Sequence, residues 1–281
     1  MANRWTFWIA WTLLGVAAIA ALAPLYWMIS GSFKLQQDAM QMPPEWFPKH
    51  PTLENYRKLF ASGDLWSGRR PALRWLANSL VVALCISTSA VTTSALAGYA
   101  LAKKRFRGRL FVFWAVVTTM MLPRQVALMP LYLLIVQLDW VDSYAGLIAP
   151  YLCFPFGIFL MRQFMEQIPD EIISAARIDG ATEWHVFWHI VLPMAKPALG
   201  AVAIFSFMGA WNEYLWQLIV TNRPEMYTLP VGVSKLVSTL TSFDLGLAMA
   251  GATVAFLPML AVFVMFQRYF VKGISVGALK G

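Results

Sequence analysis

The sequence predicts an all-α membrane protein with six transmembrane helices, and three observations carry the prediction. Hydrophobic residues make up 59% of the 281 and charged residues only 13%, half the charged share of a soluble domain, about 25%. Apolar runs recur six times, each near the length of about 20 residues that a helix needs to cross a bilayer. Thirteen Trp, nineteen Phe and nine Tyr suit a chain with two water–lipid interfaces to hold. Helices are the form to expect, because backbone polar groups cannot be left unpaired in lipid.

The first run, 5–29, resembles a secretory signal, with Ala21-Leu22-Ala23 in the style of a cleavage site. It is longer than a signal's apolar region of about 7–15 residues, and Pro24 follows the would-be cut. It reads as a retained span. The others are 75–102, 110–138, 143–161, 198–220 and 245–266, and only Arg124 in the third and Glu213 in the fifth bring a charge into a span. Small residues from Ser87 to Gly98 fit span two for close helix packing. Between spans one and two, MPPEWFPKHPTLENYRKLF is too polar to cross and reads as a proline-rich lead into a short helix that Thr52 is placed to cap. No linker or low-complexity tract marks a second domain, so residues 1–281 read as one membrane domain.

Orientation follows from the basic residues. KKRFRGR at 103–109 holds five cations in seven positions, a strong cytoplasmic marker. With six spans both termini are then cytoplasmic, in agreement with Arg4, Arg268, Lys272 and Lys280, as with Arg162, Arg177 and Lys196 of the 162–197 loop. The outer 30–74 loop carries Lys34, Lys49, Arg57, Lys58, Arg69, Arg70 and Arg74, so the rule holds narrowly by count and clearly by local density. The net charge of +8 fits anionic headgroups better than nucleic acid, since a DNA-binder does not spend its length on apolar runs. Cys85 and Cys153 fall in apolar runs and are expected to be buried, inert thiols.

The stretch EIISAARIDGATEWHVFWHIVLP, 171–193, interrupts this pattern. Glu166, Asp170, Glu171, Arg177, Asp179 and Glu183 are too dense for lipid. Segment 166–193 instead reads as two short amphipathic helices. Ile172, Ala175 and Ala176 share a face of the first, Gly180 breaks it, Trp184, Phe187, Trp188 and Val191 form an apolar stripe on the second, and Pro193 ends it. On amphipathicity alone the pair either rests on the membrane or docks a partner.

The order of residues resembles a known family. Ala175-Ala176, three residues, Gly180, nine residues, Ile190, one residue, then Leu192-Pro193 is similar to the "EAA" signature of ABC-importer permeases. PPEWFPKHPTLENY, LPRQVALMPLYLL, SYAGLIAPY, AWNEYLW and FVKGISVGALKG look like the maltose-type, carbohydrate-uptake branch. The resemblance covers nearly the whole chain. It implies a multi-pass protein of the bacterial inner membrane that pairs with a second permease, usually a different chain. It also implies two ATPase subunits that hold ATP and Mg, and an extracytoplasmic sugar-binding protein. The 166–193 pair would then be the cytoplasmic coupling helices, with Glu171, Ser174, Ala175, Ala176, Asp179, Gly180, Trp184, Phe187, Ile190, Leu192 and Pro193 facing or shaping the ATPase contact. Ser174 stands where the family usually has Glu, and Glu171 or Asp179 is placed to supply the charge.

No G-x-x-x-x-G-K-[ST] loop occurs, so the chain is expected to bind no ATP. His185 and His189 have the spacing of a metal pair without a third ligand, and no metal is expected. No cluster suggests catalysis. Arg124 and Gln125, between Pro123 and Pro130, and Trp211, Asn212, Glu213, Tyr214 and Trp216 remain. Two readings stand for them: they line a polyol path, with aromatic faces for sugar rings, or they hold packing or a partner permease. The rival to an ATP-driven importer is an ion-gradient-driven secondary transporter, which predicts inverted repeats and paired acids at midplane; neither is evident.

Overall fold

The computed structural model describes residues 4–61, 71–239 and 244–278, which leaves Arg69, Arg70 and Lys280 of the orientation argument outside the described residues. Among the described residues every regular element is helical. They are α1 (Arg4–Ser32), α2 (Glu54–Ala61), α3 (Pro71–Lys103), α4 (Arg109–Met121), α5 (Leu128–Gln137), α6 (Tyr144–Ile148), α7 (Pro155–Glu166), α8 (Asp170–Ile178), α9 (Glu183–Met194), α10 (Lys196–Trp211), α11 (Leu215–Val220), α12 (Leu229–Thr239) and α13 (Leu245–Ala278). Four stretches are long and apolar enough to cross a membrane: Phe7–Ser32, Ala72–Lys103, Tyr144–Glu166 and Leu245–Met265. The number rises to six if each of two bent helix pairs counts as one span.

Three of the runs read as single spans are interrupted, each for a local reason. In 110–138 the axis turns by 93° between α4 and a 3-10 turn, Arg124–Ala127, that leads into α5. Leu122, before Pro123, is extended at φ −82°, ψ 124°, as the proline ring requires of the residue preceding it. In 143–161 Pro150 and Pro155 set a 3-10 turn and a restart, and the helix continues to Glu166. In 198–220 α10 stops at Trp211 and α11 resumes at Leu215. There the Trp216 N–H donates to Glu213 Oε1 at 3.2 Å, so a side chain stands in for a helix bond, and Asn212 Nδ2 adds a second donor to the Met208 carbonyl at 3.0 Å.

The chain divides into two compact units, residues 1–76 with 229–257, and 77–228 with 258–281. In the first, α1 is uncovered along its apolar length. Asn55 fastens the segment after α1, donating to the Ser32 and Lys34 carbonyls at 2.9 and 2.7 Å. Thr52 accepts from the Glu54 N–H at 3.1 Å at the start of α2. In the second, the main core joins Tyr99, Met161, Met165, Ile173, Phe187 and Val202 from α3, α7, α8, α9 and α10. Helices α3 and α7 approach at backbone distance: a Cβ on Gly98 would lie 2.6 Å from that of Met161, and one on Gly157 would strike Ser94 Oγ. The small residues of 87–98 serve this packing. Cys85 and Cys153 are exposed rather than buried within this chain.

Candidate functional site

Pro169, extended, starts α8, whose first turn holds Asp170 and Glu171 and whose last holds Arg177. Both signs suit the helix dipole. Gly180 takes φ +85°, a left-handed value that only glycine adopts freely. The Gly180 N–H donates to Arg177 O at 3.1 Å and the Ala181 N–H to Ala176 O at 2.9 Å, the two bonds of a Schellman end. Thr182 then caps α9, accepting from the His185 N–H at 3.3 Å.

The middle of α9, Val186–Val191, is π-helical, and its wider turn shifts the apolar face. Val186, Phe187 and Val191 are buried, whereas Trp184 and Trp188 are 64% and 54% exposed. The stripe expected from simple α-helical spacing therefore splits, two residues inward and two outward. On α8 the inward residue is Ile173, with Ala176 half-buried, while Ile172, Ala175 and Ile178 are exposed, Ile178 by 86%. Pro193 does not end the helix; the chain runs on to Met194 and turns by 78° at Ala195 into α10. Glu171, Ser174, Asp179, Gly180 and Pro193 are exposed, and Ile190 and Leu192 half-buried. His185 and His189 stack, ring centroids 4.2 Å apart, and among the described residues no group of three His, Cys, Asp or Glu side chains is placed to hold a metal.

Ion pairs tie this helix pair to the end of α3 and the basic loop. Lys103, its side chain nearly buried, donates to Ile168 O at 2.5 Å and to Asp170 Oδ1 at 2.6 Å. Lys104 and Arg177 both pair with Glu183, the latter at 3.0 Å. Arg162 and Arg109 meet Glu166 at 3.1 and 3.6 Å. Arg162, one turn before the end of α7, is buried, with its guanidinium 3.9 Å from the Phe113 ring centroid. The hydrogen bond from Lys103 holds the Asp170 carboxyl below the usual carboxylate range, and that from Lys104 does the same for Glu183. A cleft of about 620 Å³ opens between these charges, lined by Arg105, Ser174 and Arg177 among others.

A second feature gathers where the spans break. A cavity of about 440 Å³ is lined by Arg124, Gln125, Pro150, Tyr151, Glu213 and Trp216, among others. The Arg124 guanidinium sits 4.4 Å from the Tyr151 ring centroid. Tyr151 escaped sequence reasoning because nothing marks it beyond a proline neighbour. Trp211 and Trp216 are buried at 2% and 1%: Trp211 stacks on Phe207 at 5.8 Å, and Trp216 Nε1 donates to Gly146 O at 3.1 Å. Trp216 nonetheless borders the cavity, whereas Trp211 lies off it. Asn212 and Tyr214 are exposed and do not line this cavity.

The profile of a family described as "binding-protein-dependent transport system inner membrane component" matches residues 90–276. The arabinooligosaccharides transport system permease protein AraQ of Bacillus subtilis is 36% identical over 263 residues, covering 92% of this chain and 91% of its own. The sn-glycerol-3-phosphate transport system permease protein UgpE of Brucella abortus is 34% identical, with 93% of each chain covered. A solved bacterial ABC transporter involved in import of the acidic polysaccharide alginate contains a chain of the same fold, with a TM-score of 0.82, 24% identity, and 96% and 98% of the two chains covered. The protein is thus a multi-pass membrane protein, and it belongs to the family of inner-membrane components of binding-protein-dependent transport systems.

Proposed function

We propose that this chain is one of two permeases of an ATP-driven importer of sugars or polyols, crossing the inner membrane six times with both termini in the cytoplasm. Membership of the family and relatives named for arabinooligosaccharide and glycerol-phosphate transport support this reading over an ion-gradient transporter. The broken run α4–α5 and the apolar run α10–α11 supply the remaining two crossings, with α9 outside the bilayer. ATP and Mg are held by two partner ATPases, a second permease completes the path, and a binding protein delivers the substrate from outside. This chain has no phosphate loop and performs no hydrolysis.

The observation that carries the mechanism is the helix pair α8–α9. It exposes Ile178, Trp184 and Trp188 on a charged, water-facing segment, the composition of a protein-docking anchor. Its other face is fixed to α3 and α7 by core packing, and to the end of α3 and the basic loop by the pairs of Lys103 with Asp170 and Lys104 with Glu183. Closure of the ATPases moves the exposed face, and the fixed face carries the movement into the spans. Populations of outward- and inward-open states then shift with the differential binding of ATP. Arg124, Gln125, Tyr151 and Glu213 line the path for hydroxyl-rich substrate, and Asn212 and Tyr214 lie beside it.

A tagged purification in mild detergent from native membranes tests the assignment. Recovery of an ATPase and a second permease in stoichiometric amounts is the expected result. Recovery of this chain alone, as a monomer or homodimer, would overturn it.

A further inference from the structure

The segment after α1 folds back on the helix it has just left. The Trp46 carbonyl accepts from Tyr26 Oη at 2.7 Å and from Ser30 Oγ at 2.9 Å. Phe47 meets Tyr26 edge-on at 5.8 Å between centroids, and Trp46 meets Trp27 at 5.5 Å. Four aromatic rings thus form one layer at one end of a helix that this chain leaves uncovered.

We infer that residues 40–48 lie in the lipid interface, with the headgroup–acyl boundary of the bilayer as their partner. Three features favour lipid over water or protein. The first is depth: a hydrocarbon core of about 30 Å takes about 20 helical residues, and counting from Phe7, the start of the apolar run, brings the chain to Tyr26. The ring layer therefore sits where the hydrocarbon ends, the level that Trp and Tyr favour. The second is surface: Met42, Trp46 and Phe47 are 87%, 58% and 76% exposed, continuous with the uncovered side of α1. The third is the polar balance of the segment. Pro43, Pro44 and Pro48 carry no N–H, Glu45 is paired with Lys49, and the Lys34 ammonium is turned inward onto the Glu45 carbonyl and the Trp27 ring. Of the polar side chains in 40–48 only the exposed Gln41 is left to the headgroups. Insertion is driven by apolar area, not by charge.

The test uses the assembled transporter in lipid nanodiscs, with Cys85→Ala and Cys153→Ala as background. A nitroxide is placed at Met42→Cys or Phe47→Cys, and its collisions with oxygen and with a water-soluble nickel chelate are compared. Oxygen collisions should dominate at both sites, unchanged by added binding protein and by the fraction of phosphatidylglycerol. Dominant nickel collisions, or exclusion of both reagents by protein, would overturn the inference. Should labelled chains fail to assemble, quenching by brominated phosphatidylcholine of the emission lost in Trp46→Phe decides: quenched emission supports the inference, unquenched emission overturns it. Neither readout depends on transport, so this inference and the proposed function fail separately.

Discussion

At the scale of single residues, Gly180 is the position where backbone shape alone is decisive. A Cβ there would meet nothing within 4 Å, yet φ is +85°. The cost of a substitution is therefore conformational, on the order of 1–2 kcal/mol for an ordinary residue. Gly180→Val should reduce transport severely while the chain still reaches the membrane, and Gly180→Asn, which tolerates the left-handed region better, should retain most of it. Uptake measured beside membrane abundance separates the two; wild-type uptake in the Val variant would remove the helix pair from the mechanism. Gly180 could be read from sequence because glycine after a helical pattern has one common meaning. Tyr151 could not, since its importance lies in the side chains that the fold places around it.

At the scale of elements, the helix pair is fastened by charges whose pH response has a definite sign. Asp170 and Glu183 are both held below the usual carboxylate range by lysine partners. Their contribution is thus present above that range and is lost as pH falls through their lowered values. Thermal unfolding of the solubilised chain should show a loss of stability that begins below about pH 4 and is smaller in Lys103→Met, which already lacks one pair. An identical acid response in that variant would assign the loss elsewhere. The existence of the pair and its break at Gly180 were legible in the residues 166–193, but not its outer ends or its facing. Simple helical spacing joins Trp184 and Trp188 to Phe187 and Val191, and the π-helical turn at Val186–Val191 separates them. The interruptions divide in the same way. Pro123 announces the break before α5, whereas the stop at Trp211 depends on Asn212 and Glu213 bonding to nearby backbone, which their identity alone does not compel.

At the scale of the whole molecule, the exposed rings of α9 are the surface on which the proposed docking of an ATPase is tested. Trp184→Ala with Trp188→Ala should leave insertion and pairing with a second permease intact but reduce the ATPase recovered on purification, because large aromatic anchors carry much of the energy of a docking surface. Undiminished ATPase recovery would place the contact on another part of the chain. Inside the second unit, the close approach of α3 and α7 has its own consequence. With Gly98 against Met161 and Gly157 against Ser94 there is no cushion of long side chains between the two backbones. Sliding would first have to pry them apart. The two helices therefore behave as a single stiff beam, clamped at one end by Lys103 and Lys104 to the segment proposed to meet the ATPase. A tug on that end is delivered as rotation of the beam, and none of the stroke is taken up by slack along its length.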